Sequence, residues 1–448
     1  MPTTLHEQSA ALQQGRTSSV ELTEAALARA ADPAGEGARV YTRLYAERAR
    51  AAAQASDTLR GAGLARSAID GLPISIKDLF DVAGETTLAG SVALQGAAPA
   101  AAHATVVRRL IAAGAVITGR TNMTEFAYSG LGLNPHYGTP LNPWDRATGR
   151  IPGGSSSGAA VSVRDGMAIG AIGSDTGGSV RIPAALCGLA GFKPSAQRVP
   201  MQGVLPLSVN LDSIGPLAPT ARCCAVLDAI LADEHAPLPE PALLRGLRLA
   251  LPTTLALDGM DQHVSASFSA AVSRLSAAGA QVDEIDVPEF AQLAAINAKG
   301  GFTAPEAWAW HRDLIARAAD RYDPRVVSRI RRGQEVSAAD WIDLVAARRA
   351  WIAAVERRIA GYDALVLPTV PVVAPAVAEL QASDEAYTAA NLLILRNPTL
   401  INFLDGCALT VPCHAPGTAP AGLMIAGANG ADRRILAIGM AVEDLLRA

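Results

Sequence analysis

From about Thr3 to Arg60, apolar positions recur at intervals of three and four among Ala, Glu and Arg. That spacing gives each of several helices one buried stripe, so residues 1–60 are predicted as a helical N-terminal segment. Ahead of "VELTEAALARA", Ser18 or Ser19 stands where a helix N-cap belongs, and Glu21 lies at capping-box distance from Ser18. From "GLPISIKDLFDV" onward the period shortens. Short β-branched runs such as "LPISIKD", "VITGRTN", "GLRLALP" and "QVDEIDVP" alternate with helical runs such as "ATVVRRLIAAGA" and "VSASFSAAVSRLSAAGA". Further on, "YDALVLPTVPVVAP" runs from an apolar strand into a proline-rich loop. This alternation predicts an α/β architecture with a substantially parallel sheet. The stretch "DEHAPLPEPALLRG" (233–246), with three prolines, reads as a loop or insertion. Alternation resumes after it and no period repeats, so residues 1–448 are predicted as one domain.

Composition narrows the function classes. Half of the 448 residues are hydrophobic and 18% are charged, enough for a large core. A net charge of -4 with no long basic run argues against nucleic acid as a partner. Five cysteines (Cys187, Cys223, Cys224, Cys407, Cys413) form neither a CxxC pair nor a metal-ligand spacing, so no metal is expected. The N-terminus lacks a signal-peptide pattern, and no apolar run is long enough to span a membrane. A cytoplasmic protein is the expectation.

Two glycine–serine knots carry the candidate chemistry: "GGSSSG" (153–158) and "GSDTGGSVRIPAA" (173–185). Apolar neighbours such as "AAVSV" and "ALCGLAGF" argue against flexible linkers. Neither GxxxxGK[ST] nor GxGxxG occurs, so a phosphate loop has weak support, although the serine cluster could cap a helix beginning near Ala159. In "SDTGGSVR", two glycines before Ser179 leave the backbone N–H groups of Gly177, Gly178 and Ser179 open to a substrate carbonyl, as an oxyanion hole requires. A serine nucleophile needs a base. None of the seven histidines lies in a glycine–serine or Asp-rich context, and GxSxG is absent. Lys77 interrupts the apolar strand "LPISIKDLFDV", where burial would favour the neutral amine. The residues alone leave two readings of Lys77 open: a base, or a salt bridge to Asp78 or Asp81.

The motifs "GGSSSGAAVSV", "GSDTGGSVRIPAALCGLAGFKPS" and "LPISIKDLFDV" resemble those of the amidase signature family of serine hydrolases. Flanking segments "GRTNMTEFAYSG", "GTPLNPWD", "DSIGPLA", "LVLPTVP" and "LTVPC…GLMIAG" extend the likeness from about Leu22 to the C-terminus. The resemblance implies one α/β domain with a large mixed sheet covered by helices, and no cofactor. It implies Ser179 as nucleophile, Ser155 as the middle serine held through a cis peptide bond to Gly154, and Lys77 as the base acting through Ser155. Thr176, Gly177, Gly178 and Ser179 would supply the oxyanion amides. Ala127, Tyr128 and Ser155 would face the substrate, while Asp175 and Arg181 read as structural braces. Two departures stand out: "GGSSSG" where "GGSSGG" is commoner, and Gly406-Cys407 where many relatives have a valine–proline pair.

The leading expectation is hydrolysis of a small-molecule carboxamide through an acyl-enzyme. The runner-up is the amidase subunit of an ammonia-delivering amidotransferase complex, and the third is a non-catalytic binding protein on the same fold. A homodimer is left open, and no membrane partner is expected. Arg329, Arg331 and Arg332 in "SRIRRGQ" are either a carboxylate anchor or an exposed helical face, with the second favoured.

Overall fold

Eleven strands join in one sheet in the computed structural model, which describes residues 3–448. They are β1 (Tyr41–Leu44), β2 (Pro73–Lys77), β3 (Val116–Thr121), β4 (Gly170–Asp175), β5 (Ala190–Lys193), β6 (Ser213–Ala218), β7 (Arg248–Pro252), β8 (Gln281–Ile285), β9 (Ala364–Pro368), β10 (Cys407–Pro412) and β11 (Gly422–Gly427). Their order across the sheet is β1-β3-β2-β4-β6-β5-β10-β11-β9-β7-β8. The strands expected from "LPISIKD", "VITGRTN", "GLRLALP", "QVDEIDVP" and "YDALVLP" are all present.

The sheet is mixed, as the family resemblance implies, and not substantially parallel as strand–helix alternation alone predicts. Parallel pairing is confined to two flanks, β3-β2-β4 and β9-β7-β8. Every pairing between β4 and β9 through the centre is antiparallel. The local strand–helix alternation read along the chain holds in the flanks but says nothing of which distant strands meet in the middle.

Successive side chains of a strand point to opposite faces, so the apolar strands bury both. On one face Val366, Leu409, Leu423 and Ile425 join the larger core. On the other, Leu365, Leu367, Ala408, Met424 and Ala426 pack with Trp351, Phe290 and Phe403 beneath the helix Ala338–Ile359. Helices cover both faces.

The N-terminal segment holds the helices Leu5–Gln13, Ser19–Ala31, Gly37–Val40 and Ala46–Gly61. The capping box is formed: Ser18 Oγ accepts from the Glu21 amide at 3.1 Å, and the Glu21 carboxylate accepts from the Ser18 amide at 2.9 Å. The segment is not wholly helical, however. "YTRL" forms β1, an edge strand antiparallel to β3, because its tyrosine and threonine favour a pleated surface and Tyr41 Oη lies 3.0 Å from Thr118 Oγ1. Residues 233–246 carry neither helix nor strand. They lie along the C-terminal helix Asp432–Arg447, held by the Ala242 amide on the Ala437 carbonyl at 3.0 Å and by Arg433 on the Pro237 carbonyl at 2.6 Å.

Candidate active site

Lys77 ends β2, Asp175 ends β4, and both parallel strands open at the same edge of the sheet. Clefts form at such carboxyl ends because the loops that follow must diverge. The loop after β4 is Thr176–Ser179, and it leads into the helix Arg181–Leu186.

The Lys77 side chain is fully buried. Its Nζ donates to Ser155 Oγ at 2.7 Å and to Ser174 Oγ at 2.9 Å. The salt-bridge alternative is overturned: Asp78 is paired instead with Arg120 at 2.6 Å, and Asp81 accepts from Thr87 Oγ1 at 2.6 Å. With neutral hydroxyls as its hydrogen-bond partners among the described residues, burial disfavours the ammonium form and brings the Lys77 pKa down to about 7. The charges of Asp212 and Asp175 offset this in part.

The two glycine–serine knots are hydrogen-bonded to each other. The Ser156 amide donates to the Ser179 carbonyl at 3.3 Å, and Ser156 Oγ donates to the Ser174 carbonyl at 3.3 Å. The Gly154–Ser155 peptide bond is cis. The Ser155 carbonyl accepts from the Thr124 amide at 3.1 Å, and the Gly154 amide donates to Gly130 at 2.8 Å, which ties in the loop of Ala127 and Tyr128. Lys77, Ser155 and Ser179 are thereby gathered at one edge, all at least 97% buried. The helix after the first knot is Ser157–Arg164, but Ser156 at its N-cap makes no side-chain cap bond. Its hydroxyl is committed to Ser174.

Asp175 shapes the second loop. Burial alone would raise its carboxyl pKa, but the Arg181 guanidinium, on two hydrogen bonds of 3.0 and 2.9 Å, holds it well below the usual carboxylate range. The same carboxylate accepts from the amides of Gly178 at 2.8 Å and Val180 at 3.1 Å and from Asn402 Nδ2 at 2.9 Å. Asp175 and Arg181 are thus braces, as expected. One of the four anticipated oxyanion donors, the Gly178 N–H, is already directed at Asp175. The amides of Thr176, Gly177 and Ser179 have no partner among the described residues. Gly178 has φ +122°, and a Cβ there would lie 2.5 Å from Pro398 Cβ and 2.7 Å from Ile182 Cδ1. Only glycine fits.

Ala127 is buried with φ +61°, beside Phe126 at φ +50°, so the chain makes a tight left-handed turn before Tyr128. Tyr128 is half-buried, and its carbonyl accepts from Arg329 Nη1 at 2.7 Å. The arginine cluster divides. Arg331 and Arg332 lie on an exposed face, while Arg329 is half-buried, 5.0 Å over the Tyr387 ring.

Two site residues were not singled out from the sequence. Ser174 is the second partner of Lys77, and Asp212 accepts from Thr176 Oγ1 at 2.5 Å. Asp212 opens the "DSIGPLA" segment, but only the β4–β6 register brings it to the loop. No histidine hydrogen-bonds Ser155 or Ser179, and no group of three or more His, Cys, Asp and Glu is placed to hold a metal ion, among the described residues.

Residues 21–436 match the Amidase family. The chain is 38% identical over 407 residues to 2-amino-5-chloromuconic acid deaminase of Comamonas testosteroni, covering 89% of this chain and 87% of the relative. It is 35% identical to a glutamyl-tRNA(Gln) amidotransferase subunit of Chloroflexus aggregans, over 97% and 94% of the two chains. Among solved structures, an amidase superposes with a TM-score of 0.88 at 33% identity, over 99% of each chain. The peptide amidase of Stenotrophomonas maltophilia superposes with a TM-score of 0.81 at 26% identity, over 100% of this chain and 97% of that one. With its motifs in order on a shared fold, the chain belongs to the amidase family.

Proposed function

We propose that this amidase cleaves the C–N bond of a small carboxamide through an acyl-enzyme on Ser179, with Lys77 as base and Ser155 as the relay between them. The observation that carries the reading is the buried Lys77 amine hydrogen-bonded to Ser155 Oγ at 2.7 Å. A lysine with a pKa near 7 is a neutral acceptor in half of the molecules at that pH. Ser155 passes a proton from Ser179 Oγ to Lys77 as Ser179 attacks the carbonyl carbon. The amides of Thr176, Gly177 and Ser179 receive the oxyanion, and the Gly178 N–H joins them only by sharing its hydrogen with Asp175. As the C–N bond breaks, the leaving nitrogen takes the proton back along the same path. Water then repeats the sequence on the ester.

Ala127 and Tyr128 would line the acyl side, where Arg329 brings a guanidinium that forms no ion pair among the described residues. That cation favours an amide bearing a carboxylate, and the deaminase relative is named for an acid substrate. The amidotransferase reading stands second, supported by likeness across nearly the whole chain. No helix among the described residues is long and apolar enough to cross a membrane. The isolated chain, given aliphatic, aromatic, ureido and carboxylate-bearing amides with ammonia detection, is expected to turn over the acid-bearing amides without a partner. Ammonia release from glutamine alone, and only with added partner chains, would favour the second reading.

A further inference from the structure

Just beyond the end of β4, Thr176 meets Asp212, the residue before β6. Asp175 faces Ser213 in the ladder, so the next position sets Thr176 opposite Asp212. Asp212 is the hub of its own loop. One carboxylate oxygen accepts from Thr176 Oγ1 at 2.5 Å, and the other accepts from the amides of Leu207 at 2.9 Å and Ser208 at 3.1 Å. That loop is anchored in turn, since Glu306 on the helix Thr303–Ala318 accepts from Ser208 Oγ and Asn210 Nδ2. Thr176 is the first residue of the glycine loop, and the two glycines after it have no side chains with which to fix the direction of their amides.

We propose that Asp212 is a positioning residue of the reaction, which by gripping the Thr176 hydroxyl sets the orientation of the Thr176 and Gly177 amides toward the substrate oxyanion. The proposal rests on Ser179 being the nucleophile. An oxyanion hole works only if its donors are aimed before charge develops, and a misplacement of about 1 Å can cost a hundredfold. Asp212 also bears on the base. Its charge is the largest of those that oppose the burial of Lys77, ahead of Asp175. Its own carboxyl is raised to about 6 by burial, against the hydrogen bonds of Thr176, Ser208 and Leu207, with Glu306 adding repulsion. The charged groups around this edge are therefore Lys77 on β2, Asp175 on β4, Lys193 on β5, Arg181 after the glycine loop, Asp212 before β6, and Glu306.

The test compares T176V, T176S, D212N and the D212N/T176V double variant on one amide substrate, with a fluorophosphonate probe to report Ser179 in the wild type. T176V is expected to lower kcat roughly ten- to a hundredfold with little change in KM and no shift of the acid limb of the pH profile. T176S, which keeps the hydroxyl, recovers most of that loss. D212N lowers kcat comparably and also moves the acid limb to lower pH, because a lysine without that neighbouring charge deprotonates earlier. The double variant loses no more than D212N alone, since both changes cut one link. Wild-type kcat in T176V, additive losses in the double variant, or an unmoved limb in D212N overturns the role of Asp212 while Ser179 labelling leaves the function intact. If D212N fails to fold, T176V and T176S decide. A probe adduct elsewhere than Ser179 overturns the nucleophile assignment, and this proposal with it.

Discussion

Lys77 and Ser155 stand 78 residues apart in the chain and meet at 2.7 Å, amine to hydroxyl, in a site closed to solvent. Among the described residues, no carboxylate is hydrogen-bonded to either. Burial thus weighs on the charged form of the lysine, offset only in part by the more distant charges of Asp212 and Asp175, and the proton it holds is easily removed. If Lys77 is the base, kcat/KM rises from the acid side with an apparent pKa near 7, where the amine loses its proton. Asp212 titrates close by, so the limb belongs to the pair rather than to one group. Lys77→Ala is expected to abolish the limb and all but a residue of activity. A profile flat between pH 5 and 9 in the wild type would contradict the assignment.

Burial of the amine also sets a stability cost that can be measured. The folded-state pKa of Lys77 lies below its value in the unfolded chain, so the unfolded state binds more protons between about pH 7 and the ordinary lysine pKa near 10.4. Native stability therefore falls, through this group, as the pH drops across that window. Lys77→Met removes the term and fills similar space. The variant should unfold at higher denaturant than the wild type near pH 7, with the gap narrowing toward pH 10. Equal midpoints at both pH values would show that the serine hydroxyls already offset the burial.

Ser179→Ala should lower kcat by roughly three orders of magnitude or more, because the acyl-enzyme cannot form. A fluorophosphonate adduct should map by mass spectrometry to Ser179 in the wild type and be absent from the variant.

The glycine loop separates packing from chemistry. A methyl at Gly178 would sit 2.5 Å from Pro398 Cβ with φ at +122°, so Gly178→Ala must displace Pro398 and Ile182. It should cost about 1–3 kcal/mol of stability as well as most activity. At Gly177 the nearest atom is Thr399 Oγ1 at 3.2 Å, and Gly177→Ala should leave stability within about 1 kcal/mol of wild type. Urea midpoints of the two variants distinguish them.

The candidate catalytic edge was legible in the sequence in part from the residues and, for the roles of Lys77 and Ser155, through motif likeness. Periodicity located β2 and the helix Thr105–Ala112 before β3, and the lone charge inside "PISIK" marked Lys77 as unusual. What the chain order hides is pairing across the sheet. The antiparallel centre β4-β6-β5-β10 joins positions as distant in the chain as Gly191 and Thr410, and it alone brings Asp212 opposite Thr176. Local spacing cannot encode that register. The same limit hid β1, whose four residues sit inside a helical stretch and gain their place from β3. Arg329 shows a third case: its helix reads as a solvated face, and only the fold lays that one arginine on the Tyr128 carbonyl.

Ser155 offers the sharpest test of why two glycine–serine knots occur together. Each knot alone supplies part of a site: the second holds the candidate nucleophile and the free amides, and the first holds the hydroxyl that touches the base. Their contact runs through Ser156, whose amide and hydroxyl reach Ser179 and Ser174, so Ser155→Ala should leave both loops in place. What disappears is the proposed bridge for the proton. Ser179 would keep its oxyanion donors but lose its path to Lys77, and kcat should fall by roughly two to four orders of magnitude with a much smaller change in KM. Lys77 would retain Ser174 as a partner. The Ser155 variant combined with Lys77→Ala should then be little worse than either alone, because one pathway is broken twice. Independent, multiplying losses would mean that Lys77 reaches the nucleophile by another route, and that Ser155 serves the loop rather than the proton.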